Sequence, residues 1–162
     1  MEKAQHVGMA DIVFVKHPGK MVSLGLGSCI GLVIYDESVK VAAMAHIMLP
    51  ESRGGKEDVK PGKFADTAVP TLIDMVIKAG AKKERLKAKM AGGSQMFNVP
   101  GSKSGFLAVG ARNAEETEKH LKQNGVKLVA SDTGGNRGRS VEFSTDDWIL
   151  VVKTLGTGKQ GI

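Results

Sequence analysis

Cysteine is nearly missing: Cys29 is the only one in 162 residues. One thiol cannot form an internal disulfide. No Cys-x-x-Cys or paired-histidine spacing offers a structural zinc site, so metal is set aside and no cofactor is implied. Cys29 is therefore either core filler or a reactive group. Aromatics are also scarce, with five Phe, one Tyr and one Trp that are not interleaved with Lys and Arg. Modules that read nucleic acid usually add stacking platforms to a basic surface, so that reading is discounted despite the net charge of +6. The charge still favours an acidic partner. No stretch approaches the roughly eighteen consecutive apolar residues of a membrane span, which argues against membrane insertion. The opening residues carry Glu2 and Asp11 around a short apolar run, unlike a secretory signal, so a cytosolic protein is expected.

What is present reads as one domain over residues 1–162, with its core at about 11–155 and a flexible glycine-rich tail at 156–162. A first strand is predicted near Asp11 to Val15. His17-Pro18-Gly19-Lys20 marks a turn, and Met21 to Leu26 begins a second strand. Gly31 to Asp36 and Val39 to Met48 read as a hairpin about Glu37-Ser38. Residues 51–63 are polar, glycine-bearing and without periodicity, which predicts a mobile surface loop beside any site. Phe64 to Ala79 is the clearest helix, with Ala65, Val69, Leu72, Val76 and Ala79 on one stripe and Pro70 as a kink or a mark of a later start. The charges of residues 82–89 are read as a solvated connector and strand face, leading into a strand near Leu86 to Ala91. A second helix is predicted from Asn113 as N-cap, Glu116 three residues on, and Gly125 as the stop; its apolar stripe is thin. Residues 127–130, 140–144 and 147–153 read as later strands. Many strands with two unequal helices, lacking regular alternation, predict an α+β layered fold: a single-domain sandwich of mixed or antiparallel sheet with two main helices.

Chemistry concentrates in Ser23-Leu24-Gly25-Leu26-Gly27-Ser28-Cys29. If Asp36 pairs with Val39, Cys29 lies directly opposite His46 on one face of the hairpin, so thiol and imidazole meet. A turn with an odd number of residues would separate them. A thiol becomes a nucleophile when its pKa drops beside an imidazolium or oriented backbone N–H groups. Gly25 and Gly27 permit close backbone approach, and main-chain N–H groups about Gly27, Ser28 and Cys29 are candidates to stabilise an oxyanion. Alone, Cys29 reads as a buried structural thiol and His46 as a satisfied core histidine; their pairing in a Gly-x-Gly-Ser-Cys setting reverses that. His6, His17 and His120 have no positional link to Cys29. Ser23 offers a hydroxyl to fix the imidazole. Gly92-Gly93-Ser94 and the segment from Asp132 to Arg139, with Gly134 and Gly135, lack the Gly-Lys-[Ser/Thr] ending of a phosphate cradle and read as tight turns that frame a pocket.

Five ordered segments carry a resemblance: residues 24–29 (LGLGSC), 46–50 (HIMLP), 92–97 (GGSQMF), 110–113 (GARN), and 132–135 (DTGG) followed by Arg137-Gly138-Arg139. In this order and at these spacings, over about Asp11 to Leu155, they resemble the CheD family of chemoreceptor glutamine deamidases. The resemblance implies a layered α/β fold like that of the cytotoxic necrotizing factor toxins. It implies hydrolysis of glutamine side chains, with glutamate methyl esters as a further candidate substrate, on the helical cytoplasmic region of chemotaxis receptors. It assigns the nucleophile to Cys29 and the histidine to His46, and it adds Phe97 to the residues framing the pocket. The third member is usually a threonine; Ser23 stands there and keeps the hydroxyl without the methyl that restricts its rotamer. Residues 98–107 fit the pattern less well and read as a variable loop. A CheC-type phosphatase is implied as a second partner, with a regulatory adaptor of little activity as the alternative function.

Overall fold

The computed structural model describes residues 3–52, 60–95 and 108–162. Its strands are β1 (Gln5–His6), β2 (Ile12–Lys16), β3 (Lys20–Leu26), β4 (Ile30–Asp36), β5 (Val41–Ile47), β6 (Lys87–Gly92), β7 (Lys127–Thr133), β8 (Arg139–Ser144), β9 (Ile149–Thr154) and β10 (Gly158–Gly161). The helices are α1 (Ala65–Lys78) and α2 (Val109–Gln123). The strands form two five-stranded sheets in the orders β1-β3-β8-β9-β10 and β2-β5-β4-β6-β7. Both are mixed, since β1–β3 and β6–β7 run parallel and the other pairs antiparallel.

The layering follows from the two-residue period of β4 and β5, whose residues are all buried. Ile30, Leu32, Ile34, Val41, Ala43, Ala45 and Ile47 face α1 and share a core with Ala65, Val69, Leu72 and Val76. Val33, Tyr35, Ala42 and Met44 face the other sheet and pack with Met21, Leu26, Val141, Phe143 and Leu150. The result is helix, sheet, sheet, the α+β layered arrangement expected. Truncating one of the fully buried leucines, such as Leu32, should cost about 2–5 kcal/mol.

Several local expectations are corrected. The hairpin turn has four residues, because Asp36 pairs with Val41 and not with Val39. The Asp36 carboxylate accepts the Ser38 N–H at 2.9 Å, and Lys40 closes the turn at φ 59°. The register therefore slides by two, an even shift that keeps every side chain on its predicted face. Helix α2 starts at Val109, so Asn113 is interior and not an N-cap. Its buried stripe is Gly110, Asn113, Thr117 and Leu121, a helical spacing made of small and polar residues. Helix α1 runs through Pro70. Lys89 is buried, not solvated: its ammonium donates to the Trp148 and Ile162 carbonyls at 2.7 and 2.9 Å and lies 5.8 Å from the centre of the Tyr35 ring. Where a frayed tail was expected, Gly158–Gly161 form an edge strand against β9.

Candidate active site

Cys29 is half-buried, immediately before β4, at the end of the sandwich where β3 delivers it. His46 projects from β5 into the space between the sheets and is 1% exposed. In the true register Gly31 stands opposite His46, so Cys29 lies two residues along the same face, diagonal to the imidazole instead of facing it. Gly31 lets Leu26 and Val141 of the other sheet pack close against that face. A Cβ there would meet Leu26 Cδ1 at 3.1 Å and Val141 Cγ2 at 3.2 Å.

Ser23 is fully buried on β3 and its Oγ is 2.9 Å from His46 Nδ1. That hydroxyl already donates to the Val7 carbonyl at 2.8 Å. With its one hydrogen committed, it can only accept from the ring, so Nδ1 carries the proton of the neutral imidazole. Nε2 is then the basic nitrogen. It is buried and has no hydrogen-bond partner among the described residues. Val7 lies outside the expected core and sequence reasoning missed it; its own N–H donates to Val22 at 2.8 Å, which fixes the carbonyl.

Electrostatics correct the expectation of a lowered thiol pKa. Burial pushes the Cys29 thiol above its ordinary value of 9.0. Burial also pulls His46 below 6.5, against smaller upward effects of the Val7 main chain and the Asp11 carboxylate. Burial thus disfavours the charged form of each group.

The backbone around Cys29 is held at every carbonyl. Gly27 O accepts the Ser94 N–H at 2.9 Å, Cys29 O accepts the Gly93 N–H at 2.9 Å, and Ser28 O accepts Asn113 Nδ2 at 2.8 Å. The N–H groups of Ser28 and Cys29 donate to no acceptor among the described residues. Gly92, at φ 116°, packs so tightly under Cys29 that a Cβ would collide with its carbonyl oxygen.

The pocket-framing residues also come together. Gly134 N–H donates to Gly92 O at 3.1 Å, and Gln95 N–H donates to Gly135 O at 2.9 Å. Ser94 Oγ donates to Arg137 O at 2.6 Å and accepts from Arg139 at 2.7 Å, while Arg139 also reaches Gly92 O and Asp132. These bonds join the two glycine turns into one clasp beside Cys29. Phe97 lies outside the described residues. The other histidines are engaged elsewhere: His17 Nδ1 is 2.9 Å from Thr145 Oγ1, and His120 is 3.4 Å from Glu116. His6 is exposed on β1.

The family model described as CheD chemotactic sensory transduction matches residues 48–154. The chain belongs to the CheD family. A relative from Thermotoga maritima, named chemoreceptor glutamine deamidase CheD, is 52% identical over 154 residues, covering 95% of this chain and 94% of its own. Another of the same name from Bacillus licheniformis is 44% identical, covering 96% of this chain and 91% of its own. A solved structure, the hypothetical protein YfiH of Bacillus licheniformis, matches with a TM-score of 0.47 and 11% identity over 81% of this chain and 59% of that one, too distant to bear on the fold. No helix among the described residues is long and apolar enough to cross a membrane.

Proposed function

We propose that this CheD-family protein is a protein-glutamine glutaminase that hydrolyses glutamine side chains of methyl-accepting chemotaxis receptors through Cys29. The bond from the Ser23 hydroxyl to the Val7 carbonyl carries the mechanism, since it assigns the tautomer of His46. Because the Ser23 hydroxyl is spent on the Val7 carbonyl, the proton stays on Nδ1 and Nε2 is left as an acceptor on the face shared with Cys29. The substrate is the one for which the relatives from Thermotoga maritima and Bacillus licheniformis are named.

His46 Nε2 takes the thiol proton as Sγ attacks the carboxamide carbon, and the Ser28 and Cys29 N–H groups receive the oxyanion. The imidazolium returns that proton to the leaving nitrogen, so ammonia departs and a glutamyl thioester remains. Water then adds, giving its proton to Nε2, and collapse expels the thiolate. That thiolate takes the proton back from His46, leaving receptor glutamate and free thiol. A glutamate methyl ester would enter the same acyl-enzyme with methanol as the leaving group.

Acidic receptor helices give the net charge of +6 a partner to steer toward. A cytoplasmic location goes with such a substrate. A CheC-type phosphatase is the second partner under this reading, competing for the same mouth. The test is incubation of the protein with a receptor cytoplasmic fragment and peptide mass spectrometry. Glutamine should convert to glutamate with release of ammonia, and unchanged conversion by Cys29→Ala would defeat the reading.

A further inference from the structure

We infer that Asn113 is a positioning residue: from helix α2 it sets the peptide plane that aims the Cys29 N–H at the reacting carbonyl. The inference rests on the acyl-enzyme reading above.

Asn113 is fully buried, yet its side chain does nothing for its own helix. Its Nδ2 donates to Ser28 O at 2.8 Å and to Met48 O at 3.0 Å. Both acceptors are carbonyls, so only the NH2 group can serve them and the orientation of the carboxamide is fixed. Met48 follows the end of β5, and Ser28 precedes the start of β4. In the hairpin register Met48 is the position that Cys29 would oppose if the ladder continued past Ile30 and Ile47. One amide thus takes over where the ladder ends, tying the nucleophile's approach to the strand that carries the base.

The chemical consequence lies in the peptide between Ser28 and Cys29. Its bond is trans, as the cis bond in the described chain is at His17-Pro18. In a trans peptide the C=O and the following N–H point opposite ways. Drawing Ser28 O toward α2 therefore turns the Cys29 N–H away from that helix. The Ser94 N–H bond to Gly27 O likewise turns the Ser28 N–H away from Ser94. Asn113 Oδ1 is left buried and without a partner among the described residues. An apolar residue on that stripe would leave no such orphan, so what the position gains from asparagine is its pair of donors.

The test compares reactions that do and do not form an oxyanion. Asn113→Ala should lower kcat for receptor glutamine deamidation by about 10²-fold, the scale for misplacing or losing one such donor, with KM nearly unchanged. Alkylation of Cys29 by iodoacetamide should keep its wild-type rate, because displacement of iodide at a saturated carbon forms no oxyanion. Asn113→Asp, of the same shape, has no donor when ionised and one when protonated. Its kcat relative to wild type should recover as pH is lowered, and it serves the test by itself if Asn113→Ala does not fold. Wild-type kcat in Asn113→Ala, alongside an inactive Cys29→Ala, overturns the positioning role and leaves the enzyme reading standing. Parallel loss of alkylation and deamidation, without recovery at low pH in Asn113→Asp, overturns it in favour of a merely structural residue. Activity in Cys29→Ala removes the acyl-enzyme and this inference with it.

Discussion

Strand β4 joins two ends of the molecule that treat buried polarity in opposite ways. At the turn end, Asp36 is 1% exposed and its carboxylate accepts the Ser38 N–H, the Lys82 N–H and the Arg85 guanidinium. Lys89 is equally settled between two carbonyls, beside the Tyr35, Phe143 and Trp148 rings. At the Cys29 end stand the three buried side-chain atoms without a hydrogen-bond partner among the described residues: His46 Nε2, Asn113 Oδ1 and Arg139 Nε. Each orphan carries a free-energy cost of about 1–3 kcal/mol. On the proposed reading, satisfied polarity holds the fold at one end, while the atoms without a partner among the described residues gather at the other, where the proposed nucleophile and base stand.

Four substitutions or titrations sharpen or break this division, from the largest effect down. Cys29→Ala should reduce receptor deamidation by at least about 10³-fold while leaving the urea midpoint within experimental error, since one half-buried sulfur is lost. A large drop in stability would make Cys29 a structural thiol. Asp36→Ala should do the reverse, costing about 2–3 kcal/mol in denaturant unfolding because three donors lose one buried acceptor, with kcat of the folded fraction near wild type. A catalytic defect larger than the stability loss would show that the two ends are coupled.

Ser23→Ala should lower kcat by about 10-fold, because the neutral ring can then place its proton on either nitrogen. Ser23→Thr should retain turnover, as it keeps the hydroxyl and limits its rotamers. Equal kcat in wild type and Ser23→Ala, with chemistry limiting, removes the serine from the mechanism. The smallest effect is a pH linkage. Since burial holds His46 below its ordinary 6.5, the unfolded chain takes up a proton that the folded protein refuses; stability is fully present above pH 6.5 and declines as pH falls toward the lowered value. His46→Gln should flatten that slope in urea titrations. In the same pH series, iodoacetamide should label wild-type Cys29 with a midpoint above 9.0. A midpoint well below 9.0 would instead reveal a thiolate–imidazolium pair.

The core was legible wherever apolar residues keep a period. The stripe of α1 and the unbroken apolar runs of β4 and β5 announce their own burial. That Cys29 and His46 share a face was legible for a subtler reason: the turn length was wrong by two residues, and parity forgave it, although the two are diagonal and not opposite. What stayed hidden depends on partners distant in sequence. Asn113 imitated an N-cap because an asparagine three residues before Glu116 has the local signature of one, whereas its bonds run to Ser28 and Met48. Only its place in the 110–113 segment of the family pattern singled it out. Val7 acts through a carbonyl, which no side-chain pattern can flag. Lys89 looked solvated because its acceptors, at 148 and 162, are main-chain atoms far along the chain.

That Val7 carbonyl gives the outermost strand a say in the chemistry. β1 is two residues long and pairs with β3 at Gln5–Met21 and His6–Val22, so it belongs to the class of elements that open locally without global unfolding. Under the proposed mechanism, whenever it lifts, the Ser23 hydroxyl loses its acceptor and is free to donate to the ring instead, which moves the imidazole proton to Nε2 and takes the base away from Cys29. On that reading catalytic competence is a population, bounded by how much of the time a short edge strand stays zipped. Any tag, truncation or bound protein that pulls on the first eight residues would dim the enzyme while every residue named in its mechanism remained in place.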